Sequence, residues 1–131
     1  MKRTALILSS LALIAAPAHA QTLEGRWTNP KRSVIVRVDR CGDAYCGTVS
    51  WASPHNRERV AENGRRMIGT RILTGLKPAG GGTYKGQAFE PKRNVRGSAT
   101  VRQLGPNVMV VKGCAVLGLL CKEQRWTRVT S

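Results

Sequence analysis

Four cysteines, arranged as two close pairs, are the residues whose type and spacing most readily support chemistry in this chain. Four residues separate Cys41 from Cys46, and six separate Cys114 from Cys121. Pairs of this kind form either local disulfides or the ligand set of a structural zinc ion. Structural zinc favours about two to four residues within each pair, and the second spacing is wider than that. We therefore expect two disulfides and no metal.

The pairing of the cysteines follows from the residues between them. Four cysteines allow three pairings, but Gly42 and Asp43 suit a turn that brings the chain back on itself. Pairing between neighbours is therefore favoured: Cys41–Cys46 and Cys114–Cys121. Each bridge would add about 2–2.5 kcal/mol of stability in the chain-entropy model. Oxidised cysteines carry no thiolate, so they are not expected to act as nucleophiles.

Few other residues of the chain could form a catalytic centre. His55 is the one histidine after residue 20, and Glu58 is the nearest acid that could orient it as a general base. Ser50 and Ser53 lack the Gly-x-Ser-x-Gly context of a nucleophile elbow. No glycine-rich loop follows a strand and opens a helix to cradle a phosphate. We expect a protein that is not an enzyme and needs no cofactor, with a hydrolase as the weaker alternative.

Positive charge is the second prominent feature of the chain. Lys and Arg number 22 against 7 Asp and Glu, which gives a formal net charge of +15. Such a charge attracts polyanions, although the basic residues are spread along the sequence. Two interpretations stay open: a solvated basic surface, or a surface that binds anionic envelope material or an acidic partner protein. The residues that would form the binding surface are Arg57, Arg59, Arg65, Arg66, Lys92, Arg93 and Arg96.

Nucleic acid is a less favoured partner for this charge. The basic stretches lack the interleaved aromatic residues on which bases stack. The expected compartment, discussed next, also argues against it.

The first twenty residues have the organisation of a secretion signal. A basic start, Lys2-Arg3, precedes an apolar run over residues 6–16, and an Ala-His-Ala tripeptide follows at 18–20. The apolar run is about half the ~20 residues that a membrane span needs. We therefore predict a signal peptide over residues 1–20, cleaved between Ala20 and Gln21, with no lipoprotein anchor and no membrane span. The product should be periplasmic or secreted.

Residues 21–131 are enough for one domain, and their hydrophobic pattern has period two almost throughout. Val34, Val36 and Val38 share one face of a run whose other face carries Arg37 and Asp39. No stretch shows a helical period over ten residues, and residues 53–66 are predicted to form a polar, basic loop. The predicted strands are Leu23–Trp27, Ser33–Arg40, Tyr45–Trp51, Met67–Leu76, Thr83–Glu90, Val95–Leu104, Asn107–Cys114 and Glu123–Val129.

Eight short strands with mostly local connections predict an all-β, antiparallel, up-and-down architecture. Closing such a meander into a barrel removes its exposed edges, and we expect a monomeric barrel with two local disulfides. The segments Lys77–Gly82 and Gly105–Asn107 are expected to be turns. The apolar segment Ala115–Leu120, inside the second cysteine pair, is either a single helical turn or a tucked loop.

Several motifs resemble one family of exported bacterial proteins, the domain-of-unknown-function family 2147. They are the Gly-Arg-Trp at residues 25–27, the cysteine hairpin at 40–47, the segment 72–77 and the C-terminal run 111–129. The resemblance covers essentially the whole chain after residue 20. It implies a small lipocalin-like (calycin) β-barrel and no established biochemical activity.

Gly25-x-Trp27 and an arginine near the C-terminus also resemble the wider lipocalin signature. That resemblance implies that Trp27 closes one end of the barrel and that an arginine lies across its ring, with Arg128 as the first choice and Arg125 as the alternative. It gives these residues, and Trp126 beside them, a structural role.

A lipocalin-like barrel suggests a small-molecule ligand in its mouth, because an eight-stranded barrel has room for side chains or one small ligand. Strand alternation and loop position make six residues candidates for lining that mouth: Tyr45, Trp51, Tyr84, Arg57, Arg65 and Arg66. The alternative is that the aromatic residues are simply part of the core. An ordinary ligand site would require a cavity of at least about 300 Å³.

Overall fold

The computed structural model describes Ala12 and residues 22–130. The predicted signal peptide (residues 1–20) and its cleavage point before Gln21 lie outside the described residues, apart from Ala12. The described chain forms eight strands and one helix: β1 (Gly25–Thr28), β2 (Val34–Cys41), β3 (Ala44–Ala52), α1 (Pro54–Ala61), β4 (Arg71–Gly80), β5 (Thr83–Glu90), β6 (Val95–Gly105), β7 (Val108–Ala115) and β8 (Leu120–Arg128).

The strands form one closed antiparallel barrel in chain order. Each strand pairs with the next, and β8 returns to β1 through the pairs Trp27↔Arg128 and Thr28↔Thr127. Two disulfides, Cys41–Cys46 and Cys114–Cys121, join β2 to β3 and β7 to β8. The predicted all-β barrel and its two local disulfides are confirmed.

The period-two pattern explains why these segments are strands. In β2, Val34, Val36 and Val38 are buried while Arg37 and Asp39 are exposed. Alternating side chains point to opposite faces of a strand, so one face of each pattern fills the barrel and the other meets water.

The fourth strand departs most from its predicted bounds. It begins at Arg71 instead of residue 67 and runs on to Gly80, through a segment that was expected to be a turn. Lys77 pairs with Lys85 and Pro78 with Tyr84, with register shifts on both sides of this stretch. Irregular pairing tolerates a proline, which has no N–H to donate to the ladder.

A helix also lies where a loop was predicted. Helix α1 begins after Ser53, whose hydroxyl accepts a hydrogen bond from the Asn56 backbone N–H at 3.3 Å. Pro54 occupies the first turn, where the missing N–H has no intrahelical partner in any case. The helix has only eight residues and buries only Asn56 and Val60, too few to give a helical period in the sequence. No helix in the described part of the chain is long and apolar enough to cross a membrane.

Because successive strands alternate in direction, the connections gather at two ends of the barrel. We call the end with the turns at residues 42–43, 81–82 and 106–107 the plug end. The end with the connections at 29–33, 53–70, 91–94 and 116–119 is the mouth end. Helix α1 lies at the mouth end, where Val60 and Met67 join the hydrophobic core.

Candidate functional site

The plug end is closed by an arginine that is held over a buried tryptophan. Trp27 is fully buried, and its indole N–H donates to the Leu23 carbonyl at 2.8 Å. The Arg128 guanidinium lies 4.3 Å from the centre of the Trp27 ring, a favourable cation–π distance. It also donates to the backbone carbonyls of Thr22, Glu24 and Pro106 at 2.6–2.8 Å. The arginine therefore ties the segment before β1 to β8.

Gly25 is required at this end of the barrel. Its φ of +129° is rarely adopted by L side chains, and a Cβ there would lie 2.4 Å from an Arg128 guanidinium nitrogen. Trp126 is also buried, and its indole N–H donates to the Gln124 side chain at 3.0 Å. Arg125 is exposed on the same strand. The geometry at this end therefore gives these residues a role in stability.

The side chains that face the barrel interior differ in size between the two ends. In the middle of the barrel, Val36, Leu76, Val101 and Met109 are at most 1% exposed and fill the core. Toward the mouth end the inward positions of β5, β6 and β7 carry small residues. Ala88 lies opposite Gly97, and the buried Ala99 lies opposite Gly113. Small residues cannot fill the space that valine or methionine fills deeper in the barrel.

A cavity of about 580 Å³, open to solvent, occupies this part of the mouth end. It is lined by small and apolar residues of four strands and by the residues of two turns. Its volume falls within the range of about 300–1,000 Å³ that is usual for small-molecule sites. The lining residues are Ala88, Glu90, Arg93, Val95, Arg96, Gly97, Gly113, Cys114, Ala115, Val116, Leu119, Leu120, Cys121 and Lys122.

Glycine stands at two positions of this wall for different structural reasons. A Cβ at Gly97 would lie 1.9 Å from the Cys114 carbonyl oxygen, so glycine lets β6 approach β7 closely. A Cβ at Gly113 would meet its nearest neighbour, the Ala88 Cβ, at 3.8 Å, which is an ordinary contact. Gly97 is therefore required by backbone packing, whereas Gly113 leaves room in the cavity.

The rim of the cavity carries three cations and one carboxylate. Arg93, Arg96 and Lys122 line it together with Glu90. The Glu90 carboxylate accepts a hydrogen bond from the Lys92 backbone N–H at 3.1 Å, which turns one of its oxygens to the β5–β6 connection. Apolar walls with a net positive rim suit a ligand that has an apolar body and an anionic group.

Phe89 holds two arginines in place beside this rim. The guanidinium of Arg96 lies 4.4 Å from the centre of its ring, and that of Arg65 lies 5.2 Å away. Both distances fall within the usual cation–π range of about 6 Å. Phe89 is 7% exposed, so the two arginines cover a buried aromatic ring and keep their charge at the surface.

The connection between α1 and β4 is fixed to the next connection of the mouth end. The Asn63 side-chain amide donates to the backbone carbonyls of Pro91 and Lys92 at 3.1 and 3.0 Å. This double contact links the segment that carries Arg65 to the turn that carries Arg93. The basic residues of the two connections are therefore held on the same end of the barrel.

Comparison with known families shows which family the chain belongs to. Residues 25–128 match the family described as "Uncharacterized protein conserved in bacteria (DUF2147)". The chain belongs to this family. No curated protein and no solved structure matches the chain. The match spans all eight strands of this DUF2147 member, from β1 to the end of β8.

Two of the three aromatic residues suggested for the mouth, both tyrosines, lie at the other end of this DUF2147 barrel. Tyr45 and Tyr84 contact each other edge to face, with ring centres 5.7 Å apart. They are partly buried and lie at the plug end, where Arg40 stacks over Tyr45 at 5.1 Å. Trp51 is exposed on β3. None of these, and none of Arg57, Arg65 and Arg66, lines the cavity.

The seven basic residues suggested for an anionic partner all belong to elements or connections of the mouth end. Arg57 and Arg59 lie on α1, Arg65 and Arg66 follow it, and Lys92, Arg93 and Arg96 lie at the β5–β6 connection, so all seven are at the mouth end. Arg59 forms a 3.8 Å ion pair with Glu62, and it is the one member of the set with such a pair in the described chain. Residues that are dispersed in sequence thus share one end of the barrel, and two of them, Arg93 and Arg96, line the cavity.

The residues considered for catalysis and for metal binding can be located in the described part of the chain. His55 is exposed on α1 and forms no salt bridge with Glu58 or with any other acid of the described chain. No three His, Cys, Asp or Glu side chains within residues 22–130 come together so that they could hold a metal ion.

Sequence reasoning singled out Arg93 and Arg96 as basic residues and 115–120 as an apolar segment, but it did not predict that residues of both sets line one cavity. The available signal was a run of small residues at period two near the strand ends, at Gly97 and Ala99 and again at Gly113 and Ala115. A second signal was the apolar segment 116–120 between two cysteines. Both signals indicate a cavity only when the strand register is known.

Proposed function

We propose that this DUF2147 protein is a non-catalytic binding protein that holds a small amphiphilic anion in the cavity at the mouth end. The observation that carries the proposal is the cavity of about 580 Å³, with apolar walls and three cations on its rim. Ala88, Gly113 and Leu120 would contact the apolar part of the ligand. Arg93 and Lys122, two basic residues of the rim, would contact its anionic group.

The cavity, and not the basic surface alone, must bind the ligand if the proposal is right. The probe is dodecanoate, an amphiphilic anion whose binding is measured by isothermal titration calorimetry. Gly113→Val extends two methyl groups into the space beside Ala88 and should weaken binding by about tenfold, or about 1.4 kcal/mol. Ser98→Val is the matched control, because Ser98 is exposed next to Gly97 on the outer face of β6. Equal affinity of the two variants would contradict the proposal.

The contribution of the rim charge to binding can be tested with two lysines whose side chains point to opposite faces of the sheet. Lys122 lines the cavity, whereas Lys112 precedes the inward-facing Gly113 and therefore points outward from β7. Lys122→Gln should weaken dodecanoate binding by about two- to fivefold, because exposed ion pairs contribute modestly. Lys112→Gln should leave the affinity unchanged. A neutral analogue, dodecanol, should not distinguish the wild type from Lys122→Gln.

The proposal places the protein in the periplasm or the medium. It is supported by the signal-like first twenty residues and by two disulfides, which persist in oxidising compartments. Expression in a bacterial host should yield envelope or culture-medium protein whose mass corresponds to a chain that begins at Gln21. A full-length chain retained in the cytoplasm with free thiols would reject this part of the proposal.

A second candidate function is favoured by the basic surface of seven residues at the mouth end. In this case the protein binds anionic envelope material such as lipopolysaccharide phosphates. Binding to purified lipopolysaccharide should weaken steeply as salt screens the charges. The double substitution Arg57→Gln/Arg66→Gln should reduce it, whereas Lys85→Gln/Arg102→Gln, on the outer wall, should not. Salt-independent binding would reject this candidate.

A further inference from the structure

The β7–β8 turn presents an apolar tip to solvent. Its four apolar side chains are largely or fully exposed: Val116 at 60%, Leu117 at 101%, Leu119 at 80% and Leu120 at 66%. Single exposed apolar residues are common on protein surfaces, but a contiguous group of them marks an interaction site. We call residues 116–120 the apolar tip.

The backbone of the apolar tip is held in an unfavourable conformation. Val116 and Leu117 have φ values of 52° and 54°, in the left-handed region that β-branched and bulky residues rarely adopt. The Cys114–Cys121 disulfide closes the segment, and the Leu119 N–H donates to the Val116 carbonyl at 3.0 Å. Such strain persists where the surroundings enforce it, often at functional sites. The tip is therefore kept projecting from the barrel.

The charge around the apolar tip identifies what it could contact. Arg93, Arg96 and Lys122 line the cavity beside it, and the whole chain has a net charge of +15. A second copy of so basic a protein is repelled, whereas an anionic surface is attracted. Apolar side chains surrounded by cations are the arrangement by which proteins bind the interface of anionic bilayers.

We propose that the apolar tip inserts into an anionic lipid surface while the basic residues of the mouth end contact the lipid headgroups. The proposal goes beyond the binding of a small ligand and does not depend on it, because Leu117 is fully exposed and is not among the residues that line the cavity. Docking in this orientation turns the open side of the cavity toward the bilayer. The bound state is peripheral, since the tip is only five residues long.

The experiment measures partition between buffer and sedimented vesicles made of phosphatidylglycerol and phosphatidylcholine in equal parts. Leu117→Ser should lower the partition coefficient by about tenfold, because a leucine that enters the acyl region contributes most of its burial energy. Since Leu117 is fully exposed, its replacement does not disturb the core. The matched control is Leu104→Ser, which changes a leucine that is 45% exposed on β6 at the plug end. Its partition should equal that of the wild type.

Insertion can also be observed directly. Leu117→Trp should show a blue shift of tryptophan emission when these vesicles are added, and quenching by lipids brominated in the acyl chain. Phosphatidylcholine vesicles alone should bind the wild type at least about tenfold more weakly, because the attraction per cation near an anionic surface is then lost. Arg93→Gln should weaken binding to the anionic vesicles, whereas Arg102→Gln, on the outer wall toward the plug end, should not.

Three outcomes would overturn the proposal. Leu117→Ser could sediment with the vesicles as well as the wild type, or Leu117→Trp could stay in a water-like environment. Concentration-dependent dimers without lipid, abolished by Leu117→Ser, would assign the tip to contact between copies of the chain. Dodecanoate binding without vesicles should be unchanged in Leu117→Ser, so the lipid test and the cavity test fail independently.

Discussion

The Arg128 guanidinium lies 4.3 Å from the centre of the Trp27 ring and bonds to backbone carbonyls on two segments of the chain. This pair joins β1 to β8 at the seam of the barrel. The Arg128 side chain thus covers the buried Trp27 ring and holds the segment before β1. It lies where the ring of strands closes.

Replacing Arg128 should destabilise the whole barrel. Arg128→Ala removes the cation–π contact and three charge-assisted hydrogen bonds, and we expect a loss of about 2 kcal/mol because water can reach the freed carbonyls. Arg128→Lys keeps the charge but not the planar fork, so it should fall between the wild type and Arg128→Ala. Urea unfolding measures the change. Arg125→Ala, at an exposed position, is the control, and equal midpoints for the two alanine variants would contradict the expectation.

The two glycines of the cavity wall should respond differently to alanine. Gly97→Ala places a methyl group 1.9 Å from the Cys114 carbonyl oxygen, so the β6–β7 pairing must shift, at about 1–3 kcal/mol. Gly113→Ala meets only an ordinary contact at 3.8 Å and should change stability by less than about 0.5 kcal/mol. Thermal unfolding of both variants provides the test. A Gly97→Ala variant as stable as Gly113→Ala would show that the two strands are not so close.

The second disulfide should control the shape of the apolar tip as well as stability. Cys114→Ser/Cys121→Ser should lower the free energy of unfolding by about 2–2.5 kcal/mol, and Cys41→Ser/Cys46→Ser by a similar amount, because the two loops are similar in length. Only the Cys114→Ser/Cys121→Ser variant should be cleaved by chymotrypsin at Leu117 and Leu119, because these two residues lie inside the loop that this disulfide closes. Equal cleavage of both variants at the tip would show that the disulfide does not hold it.

Asn63 should stabilise the mouth end locally. Asn63→Ala removes two hydrogen bonds to the Pro91 and Lys92 carbonyls and should cost about 1 kcal/mol. Amide hydrogen exchange of residues 91–94 should become faster, since the turn loses its contact with the segment after α1. Gln87→Ala, on the exposed face of β5, should leave that exchange unchanged. Unchanged exchange in Asn63→Ala would show that Asn63 does not couple the α1–β4 connection to the β5–β6 connection.

Much of the barrel can be predicted from the sequence because period two is a local property. The predicted bounds of Thr83–Glu90 coincide with β5. Short or irregular elements were less accessible. Helix α1 has no helical period because it buries only two residues, and β4 crosses Pro78 through irregular pairing that no local pattern indicates.

The cavity could not be predicted because it depends on residues far apart in sequence. Ala88 and Gly113 belong to β5 and β7, which are not neighbours, and they face each other only across the curvature of the closed barrel. Strand alternation indicates which face a side chain occupies, but not its height along the barrel axis. For this reason Tyr45 and Tyr84, suggested for the mouth, lie at the plug end. The seven basic residues that the sequence analysis grouped together, by contrast, do all lie at one end of the barrel.

The seam between β1 and β8 has a consequence for the order of folding. Trp27 and Thr28 pair on one side with Val36 and Ile35 of the neighbouring β2, and on the other side with Arg128 and Thr127 of the distant β8. The first pairing is local, whereas the second joins the two ends of the barrel sequence and is entropically slower to form. Until β8 arrives, one edge of β1 stays open, and an open edge is a template on which another polypeptide can add a strand.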